Sequence, residues 1–154
     1  IIESIEQEIA GIITSSELLR HQMELLTSIE GIGPKVALKT ILETHAFTRF
    51  DNPRQFCCHA GLAPFSYTSG SSQHSLNRVS HKANKSMKTL LHMAALSVIR
   101  QKQGDLKVYY LRKVAEGKNK MTVINAIRAK LVARMFAVIK NNKPYQLIYQ
   151  NKFA

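Results

Sequence analysis

LLTSIEGIGPKVALKTILE, residues 25–43, is where the reading of this chain begins. Leu26 and Ile29 close a first helix, Gly31-Ile32-Gly33 forms a tight turn, and Pro34 opens a second helix. Val36, Ala37, Ile41 and Leu42 recur at three- and four-residue steps and face the first helix. Two glycines around one apolar residue let the backbone adopt positive φ and expose its amide groups. The second helix points the positive end of its dipole at the same spot, and Lys35 adds a cation. Amide donors and a helix N-terminus together form an anion site. Gly31, Gly33 and Lys35 are therefore the expected phosphate-holding residues.

The rest of the chain reads as helix on both sides of this hairpin. From Ile1 to Leu26, the apolar positions Ile2, Ile5, Ile9, Ile12, Ile13, Leu19, Met23 and Leu26 predict one long amphipathic helix. It is either half of a coiled-coil stalk, joining a second copy or an upstream part, or an ordinary helix packed along the domain. Residues 53–60 predict a short helix capped by Asp51 or Asn52, and residues 84–101, 106–116 and 121–139 predict three more. No segment has a strand's alternation, so the expected class is all-α: a long helix over 1–26, then one domain over 27–154 with the hairpin at 26–43. The hairpin resembles a helix-hairpin-helix, which binds the nucleic-acid backbone rather than the bases.

Charge is divided unevenly in this chain of 154 residues and net charge +12. Residues 1–70 carry five basic and eight acidic side chains, and residues 71–154 carry seventeen basic and two acidic, Asp105 and Glu116. Fifteen uncompensated charges in the second part make a polyanion the natural partner, because each neutralised phosphate releases condensed counterions. No apolar run is long enough to span a bilayer. Cys57 and Cys58 are adjacent and supply neither a disulfide framework nor metal-ligand spacing, which fits a reducing, cytoplasmic setting. The six histidines show no ligand spacing, so no metal site is expected. The chain opens on Ile1 rather than Met, as a trimmed fragment would.

Between residues 61 and 78 helical periodicity fails, and serines, Gly70 and Pro64 accumulate. A serine that attacks phosphorus needs exposure, backbone freedom and cations for the phosphoryl oxygens. Ser69, followed by Gly70, has that freedom, and Arg78, Lys82, Lys85 and Lys88 follow closely. Spacing alone does not separate Ser69 from its neighbours. Ser80 is a second candidate, better suited to capping the next helix. Lys107, Tyr109, Tyr110, Arg112 and Lys113 interleave aromatics with cations, as binders of single strands or RNA do; helix amphipathicity explains them equally well.

The order GIGPK (31–35), F-x-R-F (47–50), AGLAP (60–64), Ser69-Gly70, VSHKANKSMK (79–88) and N-x-K-P-Y (141–145) resembles the C-terminal domain of one transposase family. It is the insertion-sequence family called one-ten, one-sixteen and nine-oh-two, which includes the Piv invertases. The resemblance runs from about Leu26 to Lys143. It implies a serine nucleophile at Ser69, donated to a composite site whose Mg²⁺-binding acids sit in an upstream RuvC-like domain, joined through a coiled coil. No cofactor is then expected on this fragment itself. It further implies DNA as substrate, a structured guide RNA, a homo-oligomer through the N-terminal helix, and a cytoplasmic, nucleoid-associated protein that this fragment alone does not make active. The family's I-S-K-R-G-N-x-x-L-R stretch falls on Val79, Ser80, His81, Lys82, Ala83, Asn84, Met87 and Lys88. Here Ala83 replaces the preferred Gly, and Met87 the preferred Leu. The rival reading is a non-enzymatic helix-hairpin-helix module for DNA junctions or structured RNA, with the serine segment as linker.

Overall fold

The computed structural model describes residues 1–62, 68–69, 72–73 and 84–146. Among these the architecture is all-α, with seven helices: α1 (Ile2–Ser15), α2 (Glu17–Thr27), α3 (Pro34–Glu43), α4 (Pro53–His59), α5 (Lys85–Arg100), α6 (Asp105–Ala115) and α7 (Lys120–Asn141). Among the described residues the one extended element is a two-residue antiparallel ladder, β1 (Thr68–Ser69) with β2 (Ser72–Gln73).

The long helix expected over residues 1–26 is broken. Ser16 has extended backbone (φ −102°, ψ 112°), and its side chain accepts from the Leu19 amide to cap α2. Just before it, Thr14 and Ser15 hydroxyls bond back to the Ala10 and Ile12 carbonyls. Three successive hydroxyl residues that bond the local backbone offer it an alternative to continuing the helix, and apolar periodicity does not register that competition. The two halves differ in burial. α1 buries no residue, whereas α2 sends Leu25 and Leu26 into the core.

α7 is the spine of that core and touches α2, α4, α5 and α6. Ile127, Leu131, Val132 and Met135 on it are fully buried, as are Met87, Leu91 and Val98 on α5 and Phe56 on α4. Each such side chain contributes roughly 1.5–3 kcal/mol on burial. Asn52 caps α4 by accepting from Gln55, with Pro53 at the first position, as the sequence suggests.

One element carries no signal in the sequence. His45, Ala46 and Phe47 all have positive φ (49°, 56° and 65°). Left-handed backbone costs a non-glycine residue roughly 1–2 kcal/mol. The turn is held by Ala46 N–H donating to the Ile41 carbonyl (2.8 Å), Phe47 N–H donating to Thr44 Oγ1 (3.0 Å), and Gln22 Nε2 donating to the Ala46 carbonyl (3.2 Å). Phe47 packs edge-on against Phe136 of α7, with ring centroids 5.1 Å apart. The F-x-R-F stretch is thereby delivered to the core by a strained turn.

Candidate nucleic-acid interface

The hairpin forms between α2 and α3, which pack together. Ile29, Ile32, Val36, Ala37 and Ile41 are buried in the join. Leu42 was expected there and does face the preceding helices, but it is exposed, at the rim of an apolar groove with Ile9, Ile12, Leu19 and Met23. The two glycines are not equivalent. Gly31 has φ +88°, and a Cβ on it would overlap Val98 Cγ2 and stand 3.2 Å from the Ala94 carbonyl. It is required both by its conformation and by its contact with α5. Gly33 has φ −86° and ψ 175°, extended backbone open to any residue, with no atom near where its Cβ would stand. Positive φ at both glycines is thus corrected to Gly31 alone. Gly33 is the N-cap of α3, where no side chain caps the helix. Lys35 is exposed on the first turn beside those amides.

The serine segment starts and returns at the other end of α3. Leu62 N–H donates to the Cys57 carbonyl (2.8 Å), and Asn84 N–H donates to the His59 carbonyl (2.9 Å). Asn125 Nδ2 of α7 donates to the Leu62 carbonyl (3.0 Å). Ser69 lies between these anchors, on the two-residue ladder opposite Ser72. Arg78, Lys82 and Ser80 lie outside the described residues. α5 begins at Lys85 rather than near Lys82, and its cap is Asn84, which accepts from Met87 N–H (3.0 Å), not Ser80. Lys85 and Lys88 stand on the first turn, exposed and half-buried.

Beneath this stem sits a cluster that the sequence did not single out. Glu43 takes Lys39 Nζ at 2.9 Å and His59 Nε2 at 3.0 Å, and Asn84 is close enough to help stabilise its charge. Burial pushes its carboxyl pKa up. The bonds from His59, Lys39 and Asn84, with the Lys39 charge, outweigh that and hold it at about 2. One carboxylate thus ties the end of α3 to the end of α4 and the start of α5. Arg128 of α7, 5% exposed, has no partner for its Nε among the described residues. Burial lowers its pKa, and its charge together with burial lowers that of neighbouring His92.

Gly31 touches the C-terminal half of α5, and Glu43 reaches the residue that caps its start. The two ends are therefore about 15 Å apart, ten helical residues at 1.5 Å each. The fold brings Gly31, Gly33 and Lys35 together, and Lys85 and Lys88 together, but separates the two sets along α3 and α5.

Among the described residues no group of three His, Cys, Asp or Glu side chains could hold a metal, and no helix is long and apolar enough to cross a membrane. Asp105 is paired with Arg134 and Glu116 with Lys113. Cys57 is buried, and burial, with the neighbouring Cys58, pushes its thiol up to about 11.

Residues 23–111 match the model of a family described as the transposase IS116/IS110/IS902 family. The pilin gene-inverting protein of Moraxella bovis is 28% identical over 144 residues, covering 94% of this chain and 45% of that protein. That of Moraxella lacunata is likewise 28% identical over the same shares. An IS110 insertion-element protein of Streptomyces coelicolor is 24% identical over 122 residues, 79% of this chain and 30% of its own length. The chain spans less than half the length of these relatives.

Proposed function

Because this chain belongs to the transposase IS116/IS110/IS902 family, we propose that it is the DNA-binding, serine-bearing part of an enzyme that cuts and rejoins DNA strands. The observation that carries this reading is that the matched residues, 23–111, include both the glycine hairpin and Ser69. The pinned stem supports it, since a segment that starts and ends on Glu43's neighbours presents Ser69 from a fixed base.

In the proposed reaction, Ser69 Oγ attacks the phosphorus of a phosphodiester. An Oγ–P bond forms, the P–O bond to one strand breaks, and the serine proton is passed on while the leaving oxygen gains one. Reversal by another strand's hydroxyl restores a phosphodiester and frees the serine. The bond is conserved throughout, which suits exchange better than hydrolysis. Lys85 and Lys88, with Arg78 and Lys82 of the same segment, offset charge on the phosphoryl oxygens. Gly31, Gly33 and Lys35 hold backbone phosphate about 15 Å away along α3, which positions a duplex without reading its bases. In this reading any Mg²⁺ is held by acids outside this chain. A structured guide RNA and a second copy docked on α1, where Ile2, Ile5 and Ile12 are exposed, belong to the same proposal. Work on DNA sets the protein in the cytoplasm with the nucleoid.

Ser69→Ala in the full-length protein tests the reading. Strand rejoining should fall by about 10³-fold or more while DNA binding persists, as expected for loss of a nucleophile. Excision and rejoining at normal rates would leave the binding-module alternative. Removing α1 and sizing the product tests the second copy.

A further inference from the structure

α6 and α7 enclose an open groove of about 680 Å³, lined by Leu106, Tyr109, Arg112, Lys130 and Arg134, with Asp105 at one end. Tyr109 holds two cations over its ring: Lys130 Nζ stands 4.7 Å and Arg112 Cζ 5.8 Å from the centroid. Lys130 makes no salt bridge among the described residues, and Arg112 meets Glu116 only at 3.9 Å, with its side chain 64% exposed. The other cations of the interleaved stretch are engaged elsewhere. Lys107 donates to the Gln101 carbonyl (2.6 Å) and Lys113 to Glu116 (2.7 Å). The structure therefore separates what the sequence left mixed: Tyr109 and Arg112 face a groove, and Lys107 and Lys113 serve the fold.

This groove adjoins the hairpin. The Glu30 carboxylate lies 3.0 Å from where a Cβ on Gly104, the N-cap of α6, would stand. Tyr145 N–H donates to Ser28 Oγ (2.8 Å), and Arg134 lies 4.6 Å over the Tyr145 ring. The anion-binding end of α3 and the groove thus share one region of the surface.

We propose that the α6–α7 groove binds an unpaired nucleic-acid strand, with Arg112 and Lys130 on its phosphates and a base on the Tyr109 ring. Charge complementarity carries this. Two exposed cations beside an aromatic ring on an apolar floor match phosphates spaced by bases with free faces, and a duplex offers no such faces. The one carboxylate of the groove, Asp105, already takes Arg134, and the proposed contacts are to phosphate and base alone, so deoxyribose and ribose strands bind alike. The proposal rests on nucleic acid being the partner but not on Ser69.

The test is fluorescence anisotropy of this chain with a labelled twelve-nucleotide oligo-dT, its oligo-U counterpart and a twelve-base-pair duplex. Tyr109→Ala should weaken both single strands about ten-fold or more, Tyr109→Phe should retain them, and the duplex should change less than about two-fold. Arg112→Gln and Lys130→Gln should each lower the salt slope of single-strand binding by about one. Lys35→Ala should weaken the duplex instead. Unchanged single-strand affinity in Tyr109→Ala, equal loss on duplex and single strand, or a large preference between the two sugars overturns the proposal while leaving the nucleic-acid reading intact. Failure of the unsubstituted chain to bind any of the three overturns both.

Discussion

At the hairpin end of the α3–α5 pair, Gly31 meets Ala94 and Val98 by shape alone, and the surrounding residues are aliphatic. At the other end, Glu43 meets Lys39 and His59 by charge and hydrogen bond, with Asn84 beside it. A contact made by shape is insensitive to pH and salt but intolerant of an added atom. One made by charge tolerates bulk but responds to protonation. The glycine turn and the base of the segment bearing Ser69 are therefore held by different forces, and a substitution can remove the contacts of one while leaving those of the other in place.

The largest effect should come from adding one methyl group. Gly31→Ala places a Cβ into Val98 and forces a left-handed alanine. Urea unfolding should show a loss of about 2–4 kcal/mol, the same at pH 7 and pH 3. Gly33→Ala, in open space, should cost less than about 1 kcal/mol. Equal losses at the two glycines would erase the distinction drawn at this end.

Glu43→Gln should cost about 2 kcal/mol at pH 7, and its cost should shrink with acid. The folded pKa of about 2 lies below the ordinary carboxylate range. The stabilisation is therefore complete above that range and fades as pH falls toward 2. Unfolding at pH 7 and pH 3 checks the sign; a cost that does not change between them would mean that packing, not charge, joins the three helices there.

Arg128→Met should raise stability by about 1–2 kcal/mol, because an apolar side chain of similar length removes a buried charge that has no carboxylate partner among the described residues. A lower melting temperature would show that the guanidinium is already satisfied. Smallest of all, Lys35→Ala should weaken duplex DNA only a few-fold and reduce the salt slope by about one, with stability unchanged.

Apolar spacing made most of the fold legible. Ile29, Ile32, Val36, Ala37 and Ile41 announce the hairpin, and Asn52-Pro53 announces α4, because burial and capping leave marks on consecutive residues. The break at Ser16 was not legible, since the apolar stripe continues through it while hydroxyls end the helix. Nor was the turn at His45–Phe47, where local bonds to Ile41 and Thr44 are joined by contacts with Gln22 and Phe136 from elsewhere in the chain. At the candidate site, Gly31 and Lys35 follow from local pattern. The Glu43 cluster joins three helices across more than forty residues, and no window of sequence contains it. Tyr109 and Arg112 were visible but could not be told from Lys107 and Lys113 until α7 supplied Lys130.

The overlap that forbids a side chain at Gly31 has a mechanical consequence. The glycine turn is keyed into α5 between Ala94 and Val98, and Asn84 joins the start of that helix to Glu43 at the foot of α3. The two helices form a strut, stiff along its length and fastened at both tips. A displacement of the turn is therefore passed along α3 and α5 to His59 and Asn84, between which the segment bearing Ser69 runs.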